Sequence, residues 1–156
     1  MRPFAHRALD LVGLRHESCR GLVLVMCGTN CALSVIMPND SLQTVLVVDD
    51  EALVRRALSR ELSAAYIVKT AGSVEEALEI LADDGRICAV ITDYDMGSHT
   101  GDELLAAVRR VAPHCACILV SGRPRATDPA ICDAFVAKPW ALGRVVSAVQ
   151  DVWVRL

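Results

Sequence analysis

The sequence lacks several signals that would point to a function class. Aromatic residues make up 4% of the chain, the net charge is only -3, and Lys and Arg are scattered without aromatic interleaving. There is no electrostatic footprint for nucleic acid, and a DNA-binding output is not expected. The seven cysteines (19, 27, 31, 88, 115, 117 and 132) are odd in number and lack the regular spacing of a disulfide framework. Reduced thiols and a cytoplasmic location follow as expectations. Cys115-Ala116-Cys117 beside His114 has no second ligand pair that would complete a metal clip, so these read as buried thiols. A convincing membrane span is missing too. Gly21 to Met37 carries no charge, but its 17 residues lie at the lower edge of the roughly 17–25 needed, and Gly28-Thr29-Asn30 interrupts it. Residues 1–42 therefore stand apart as an extension with three open readings. It is a segment upstream of a start at Met37, a membrane or interfacial element, or an added structural element.

What is present is ample apolar material for one domain, 53% of residues. From Thr44 the pattern alternates. Val45–Val48 is a short continuous apolar run, as in a strand buried on both faces of a parallel sheet. Residues 52–64 then repeat Val54, Leu58 and Leu62, with Ala57 between, at helical spacing. Tyr66–Thr70 reads as a second strand. Ser73, with Glu76 three residues on, reads as the start of a helix with Val74, Ala77, Leu78 and Leu81 inward. Cys88–Thr92 is a third strand, followed past a loop by a helix with Leu104, Leu105, Val108 and Val111 inward, stopped at Pro113. Ala116–Val120 is the fourth strand. Residues 123–133 contain Pro124 and Pro129 and have room for at most a short helix. Ala134–Ala137 is the fifth strand, and Leu142, Val145, Val146 and Val149 mark the last helix. Five strands alternating with about five helices predict an α/β fold over residues 43–156, a doubly wound parallel sheet with right-handed crossovers and a shortened fourth helix. The last helix is expected to use up the chain, so output would pass through another protein.

In such a sheet, ligands bind at the carboxyl ends of the strands, near the point where strand order reverses. The polar residues of interest all fall there. Asp49 and Asp50 follow strand one, Asp93 strand three, Ser121 strand four and Lys138 strand five. Three crowded carboxylates repel: at 4 Å and an effective dielectric near 20, each pair costs about 4 kcal/mol. A cation must sit among them. Mg²⁺ suits an all-oxygen site and leaves room for a phosphoryl oxygen. Lys138 would add a second cation and Ser121 a hydroxyl donor, and the product would be an aspartyl phosphate on Asp93.

Asp49-Asp50, Asp93 followed by Met96 and Gly101, Ser121-Gly122 and Lys138-Pro139, with Phe135 three residues before the lysine, form an ordered set. This set resembles the receiver domains of two-component response regulators over residues 44 to about 154. The resemblance implies a flavodoxin-like sheet of order 2-1-3-4-5 and phosphorylation of Asp93 with Mg²⁺ or Mn²⁺. The metal would be held by Asp50, Asp93 and the main-chain carbonyl of Asp95, with Asp49 acting through water. Ser121 and Lys138 would contact the phosphoryl group, and Phe135 would change rotamer on activation. The implied partners are a sensor histidine kinase or phosphotransfer protein and a downstream protein, with no direct nucleic acid and no membrane. Gly97 stands where the family often has proline, which predicts a looser loop after Asp93. Asp95 adds a carboxylate near the metal, and the short Ser121-to-Lys138 interval places the family's usual output face in question. His99 is expected to face solvent without a role, and Trp140 and Trp153 to pack or sit half-exposed, with only Trp140 close enough in sequence to Lys138 to report on the site.

Two other functions fit parts of the pattern. Val90-Ile91-Thr92-Asp93-Tyr94-Asp95, with Ser121 and Lys138 after it, resembles the nucleophile motif of haloacid-dehalogenase-type phosphatases. Those enzymes place their acidic pair after the lysine, whereas Asp49-Asp50 comes first here. A binding module independent of phosphorylation is the other reading, and the intact set of five site residues argues against it.

Overall fold

The computed structural model describes residues 23–24, 35–36, 42–123 and 127–155. The chain divides into two units, 1–41 and 42–156. In the first, Val23–Leu24 pairs antiparallel with Val35–Ile36. The three readings of the extension otherwise lie outside the described residues. Among the described residues, no helix is long and apolar enough to cross a membrane.

The second unit is a five-stranded parallel sheet. Its strands are β1 (Thr44–Val48), β2 (Ile67–Ala71), β3 (Ile87–Asp93), β4 (Ala116–Ser121) and β5 (Ala134–Ala137), in the order β2-β1-β3-β4-β5. This is the doubly wound order expected. Every residue of β1 and β4 is buried, which explains their unbroken apolar runs; the edge strands β2 and β5 are partly exposed. Helices α1 (Ala52–Leu62) and α4 (Arg144–Trp153) cover one face, through Leu58, Leu62, Val145 and Val149. Helices α2 (Val74–Asp83) and α3 (Gly101–Val111) cover the other, through Ala77, Leu81, Leu104 and Val108. Burying one such leucine contributes about 1.5–3 kcal/mol.

The crossover from β4 to β5 carries no helix among its described residues. It holds one turn, in which the amides of Ile131 and Cys132 both donate to the Asp128 carbonyl (3.0 and 2.9 Å). The segment is anchored at its far end. Asp133 accepts from the Cys117 amide at 2.8 Å and pairs with Arg109 of α3 at 2.5 Å. Among the described residues the domain thus has four helices instead of about five.

Two apolar residues differ from expectation. Val111 is 66% exposed, because it lies in the last turn of α3, beyond Val108, which is the last buried position of the stripe. Leu142 is 91% exposed and precedes the helix it was assigned to, since Gly143, at φ 84°, is the residue from which α4 starts. Val152 completes the buried stripe of α4 instead. Cys115 and Cys117 are buried, as expected, Cys132 is buried as well, and burial pushes the Cys117 thiol up to about 12. Such thiols are poor nucleophiles at neutral pH.

Candidate functional site

The strand order reverses between β2-β1 and β3-β4, and the crevice there opens at the carboxyl ends of β1 and β3. Register determines what lines it. Val48 pairs with Thr92, so Asp49 and Asp93 are the next residues on adjacent strands. Val120 pairs with Asp93, and Ala137 with Ser121, so Ser121 and Lys138 each step one residue further along the rim. The polar residues converge because each apolar strand ends at the same level of the sheet.

Asp49, Asp50 and Asp93 bring carboxylate oxygens within 4.8 Å of one another. Asp49 and Asp93 are buried at 1% and 7% exposure, while Asp50 is exposed. Lys138 reaches across the crevice, its Nζ lying 2.8 Å from Asp93 Oδ1 and 3.1 Å from Asp49 Oδ2. Burial raises the Asp49 carboxyl above its ordinary value and Asp93 pushes the same way; the Glu51 amide, donating to Oδ1 at 2.8 Å, and Lys138 offset only part of this. For Lys138, burial pulls the ammonium down, but the hydrogen bonds and charges of Asp93 and Asp49 leave it raised. The lysine is therefore held as a cation between carboxylates that would otherwise repel.

Ser121 is buried at the end of β4, and its Oγ accepts from the Arg123 amide at 3.2 Å, leaving its hydroxyl hydrogen to donate elsewhere. Phe135 is half-buried against the cluster on the α2/α3 face. The Asp95 side chain is exposed and lies outside the carboxylate cluster. Its backbone belongs to a two-residue ladder in which Asp95 pairs with Thr100 and Met96 with His99. Gly97 sits at the tip with φ 67°, a conformation that L side chains rarely adopt. Instead of loosening the segment after Asp93, the glycine lets it fold into a tight hairpin.

Several supporting roles were not read from the sequence, where Gly101 counted only as part of the motif set and His99 was assigned no role. Gly101 packs so closely on the Asp93 main chain that a Cβ there would lie 2.3 Å from the Asp93 carbonyl oxygen and 2.7 Å from Leu119 Cδ1. Thr100 caps α3 in a reciprocal box with Glu103, and the Thr-x-x-Glu spacing could have revealed it. His99 has partners after all: Glu75 of α2 at 3.0 Å and Glu103 of α3 at 3.2 Å. Arg55 of α1 donates to the Asp49 carbonyl. Glu61 of α1 accepts from Trp140 Nε1 (2.9 Å) and from the amides of Gly143 (3.0 Å) and Val145 (3.2 Å). It caps a helix whose own N-cap, a glycine, has no side chain to do so, and nothing local in the sequence announces it.

Comparison with known proteins agrees with this geometry. A family model described as the response regulator receiver domain matches residues 45–150. The hydrogenase transcriptional regulatory protein HoxA of Cupriavidus necator is 31% identical over 119 residues, covering 72% of this chain and 24% of that protein. The two-component response regulator ORR3 of Oryza sativa subsp. indica is 44% identical over 69 residues, 44% of this chain and 53% of that protein. The chain thus spans about a quarter to a half of these relatives' lengths. Among solved structures, a response regulator receiver domain protein from Clostridium thermocellum superposes with a TM-score of 0.66 at 26% identity, covering 73% of this chain and 96% of that one. The response regulator protein TrrA of Thermotoga maritima, in complex with Mg²⁺-BeF, gives 0.65 at 27% identity, with 71% and 99% covered.

Proposed function

The chain belongs to the response regulator receiver domain family, and from that premise we propose that Asp93 accepts a phosphoryl group from a sensor histidine kinase or phosphotransfer protein in the cytoplasm. The observation that carries this reading is the convergence of three carboxylates within 4.8 Å, with Lys138 Nζ 2.8 Å from Asp93. The all-oxygen donor set fits Mg²⁺ or Mn²⁺, held by Asp50, Asp93 and the Asp95 carbonyl, with Asp49 through water. When bound, the cation would offset charge on the phosphoryl oxygens.

One Asp93 oxygen would serve the cation and the other attack phosphorus, with Lys138, 2.8 Å from Oδ1, offsetting the charge. The new bond is O–P. The bond broken is the P–N bond of the donor phosphohistidine, whose electron pair returns to the imidazole. The added phosphate oxygens are then within the reach of the Lys138 ammonium and the Ser121 hydroxyl, and Phe135, next to Ala134 at the start of β5, follows that rearrangement. The result is a shift between two states of a protein-binding surface.

Intact-protein mass before and after incubation with Mg²⁺ and acetyl phosphate tests the proposal. The wild type should gain one phosphoryl group, and both Asp93→Asn and a metal-free sample should gain none. A gain retained in Asp93→Asn would overturn the assignment, and rapid release of inorganic phosphate would point to the hydrolase instead.

A further inference from the structure

Two of the crevice carboxylates are fixed by partners of their own. Asp49 accepts from the Glu51 amide at 2.8 Å and pairs with Lys138 at 3.1 Å, and Asp93 pairs with the same lysine at 2.8 Å. Asp50 is exposed, and among the described residues its side chain has no hydrogen-bond partner. Its approach to the other two, within 4.8 Å, is therefore set by its main chain.

That main chain is the turn from Asp49 to Glu51, which joins β1 to α1. The Asp49 amide donates to the Ala71 carbonyl at the end of β2 (3.3 Å), and the Arg55 amide to the Glu51 carbonyl (3.0 Å). The peptide between Asp49 and Asp50 has a tie of its own: the Arg55 guanidinium folds back from α1 and donates through Nη1 to the Asp49 carbonyl. Because the peptide unit is planar, holding this carbonyl also holds the Asp50 nitrogen and Cα, and with them the direction in which the Asp50 side chain leaves.

An arginine near the start of a surface helix ordinarily carries its head to water or to an acid. Arg55 is half-buried, and among the described residues it forms no ion pair. Glu76, on the same side, gives its Oε2 to the Gly72 amide at 2.7 Å. Gly72 makes the room: a Cβ there would lie 3.4 Å from Arg55 Nη1 and 3.6 Å from Cζ, so the guanidinium rests against backbone that bears no side chain. By charge alone, a guanidinium beside the crevice would repel a divalent cation. Any help it gives to metal binding must come through orientation.

We propose that Arg55 is a positioning residue for the cation: by holding the Asp49 carbonyl it turns the Asp50 carboxylate into the crevice, without itself touching the metal or the phosphoryl group. The inference rests on the reading of the crevice as a Mg²⁺-dependent phosphoryl acceptor.

Isothermal titration of the full chain with Mg²⁺ tests this. Arg55→Met should weaken binding about tenfold or more, and Arg55→Lys, which keeps the charge and a donor, should recover part of the loss. In an Asp50→Asn background, Arg55→Met should cost nothing further, because both changes act through one carboxylate. Phosphoryl uptake from acetyl phosphate by Arg55→Met should be low at Mg²⁺ levels that suffice for the wild type, and should rise toward it as Mg²⁺ is raised. Urea unfolding without metal establishes that each variant is folded; if Arg55→Met is not, the smaller loss in Arg55→Lys, and its disappearance in the Asp50→Asn background, decide the matter. Binding by folded Arg55→Met that equals or exceeds the wild type, the sign expected from charge alone, would overturn the proposal. So would an undiminished loss in the Asp50→Asn background. Either result, in a wild type that binds Mg²⁺ and takes up the phosphoryl group on Asp93, leaves the reading of the site standing, whereas a wild type that binds no Mg²⁺ overturns both.

Discussion

At the scale of the residue, the rim separates what a sequence displays from what it conceals. Asp49, Asp50, Asp93, Ser121 and Lys138 were legible because each directly follows an apolar run, and a strand that ends must deliver its next residue to the sheet's edge. Gly101 was not legible in the same way. Its importance lies in the closeness of the Asp93 main chain, a tertiary fact. Gly101→Ala should destabilise the domain by about 2 kcal/mol, since the colliding Asp93 carbonyl belongs to a central strand and cannot easily yield. Urea unfolding measures this, and phosphoryl uptake should fall in parallel as Asp93 moves. Asp49 gives a pH prediction. Its folded pKa is raised above 3.8, so the folded state holds the proton more tightly, and its contribution to stability is fully present below 3.8 and lost as pH rises through the folded value. In the metal-free protein, Asp49→Asn should therefore be more stable than wild type near neutrality. That advantage should shrink as pH falls, as urea unfolding at a series of pH values would show.

At the scale of the element, periodicity located every helix and strand of the sheet but was less reliable at their ends. Val111 continues the Leu104–Val108 spacing, yet the helix outruns the surface it covers, and Leu142 was drawn into a helix that Gly143 starts later. Caps explain why α4 begins where it does. Glu61 supplies from α1 the acceptors that Gly143 lacks, so Glu61→Ala should cost about 1–2 kcal/mol and loosen Trp140. Chemical denaturation and a red shift of tryptophan emission are the readouts. If Glu61→Ala unfolds at the wild-type midpoint with unchanged emission, the cap contributes nothing. The hairpin after Asp93 carries a similar lesson. Gly97 signalled departure from the familiar proline, but only the pairing of Asp95 with Thr100 shows that the outcome is a turn instead of a looser chain.

At the scale of the whole molecule, the alternation of strand and helix was enough to predict a parallel sheet covered on both faces, because right-handed crossovers leave few alternatives, while the strand order came from the resemblance to receiver domains. The lack of a helix among the described residues of the β4–β5 crossover was anticipated only as a shortening. What stands there instead depends on Arg109 and Asp133 meeting across the β4–β5 side of the sheet, which no local pattern encodes. Metal binding should act on the molecule as a whole. Saturation at about a hundred times the dissociation constant should raise the unfolding free energy by about 2.7 kcal/mol, and Asp50→Asn should remove most of that gain. Thermal melts with Mg²⁺ and with EDTA decide the point.

Lys138 joins the carboxylates from the last strand of the sheet. A ribosome therefore makes all three acids, and the helices that follow them, well before the cation that reconciles them. Nascent chains stalled short of Lys138 should remain open to protease at the β1 and β3 ends. Chains released a few residues later should close only once α4 is long enough to dock on Glu61. In vectorial synthesis, the carboxylate crevice is thus among the last parts of the domain to be assembled.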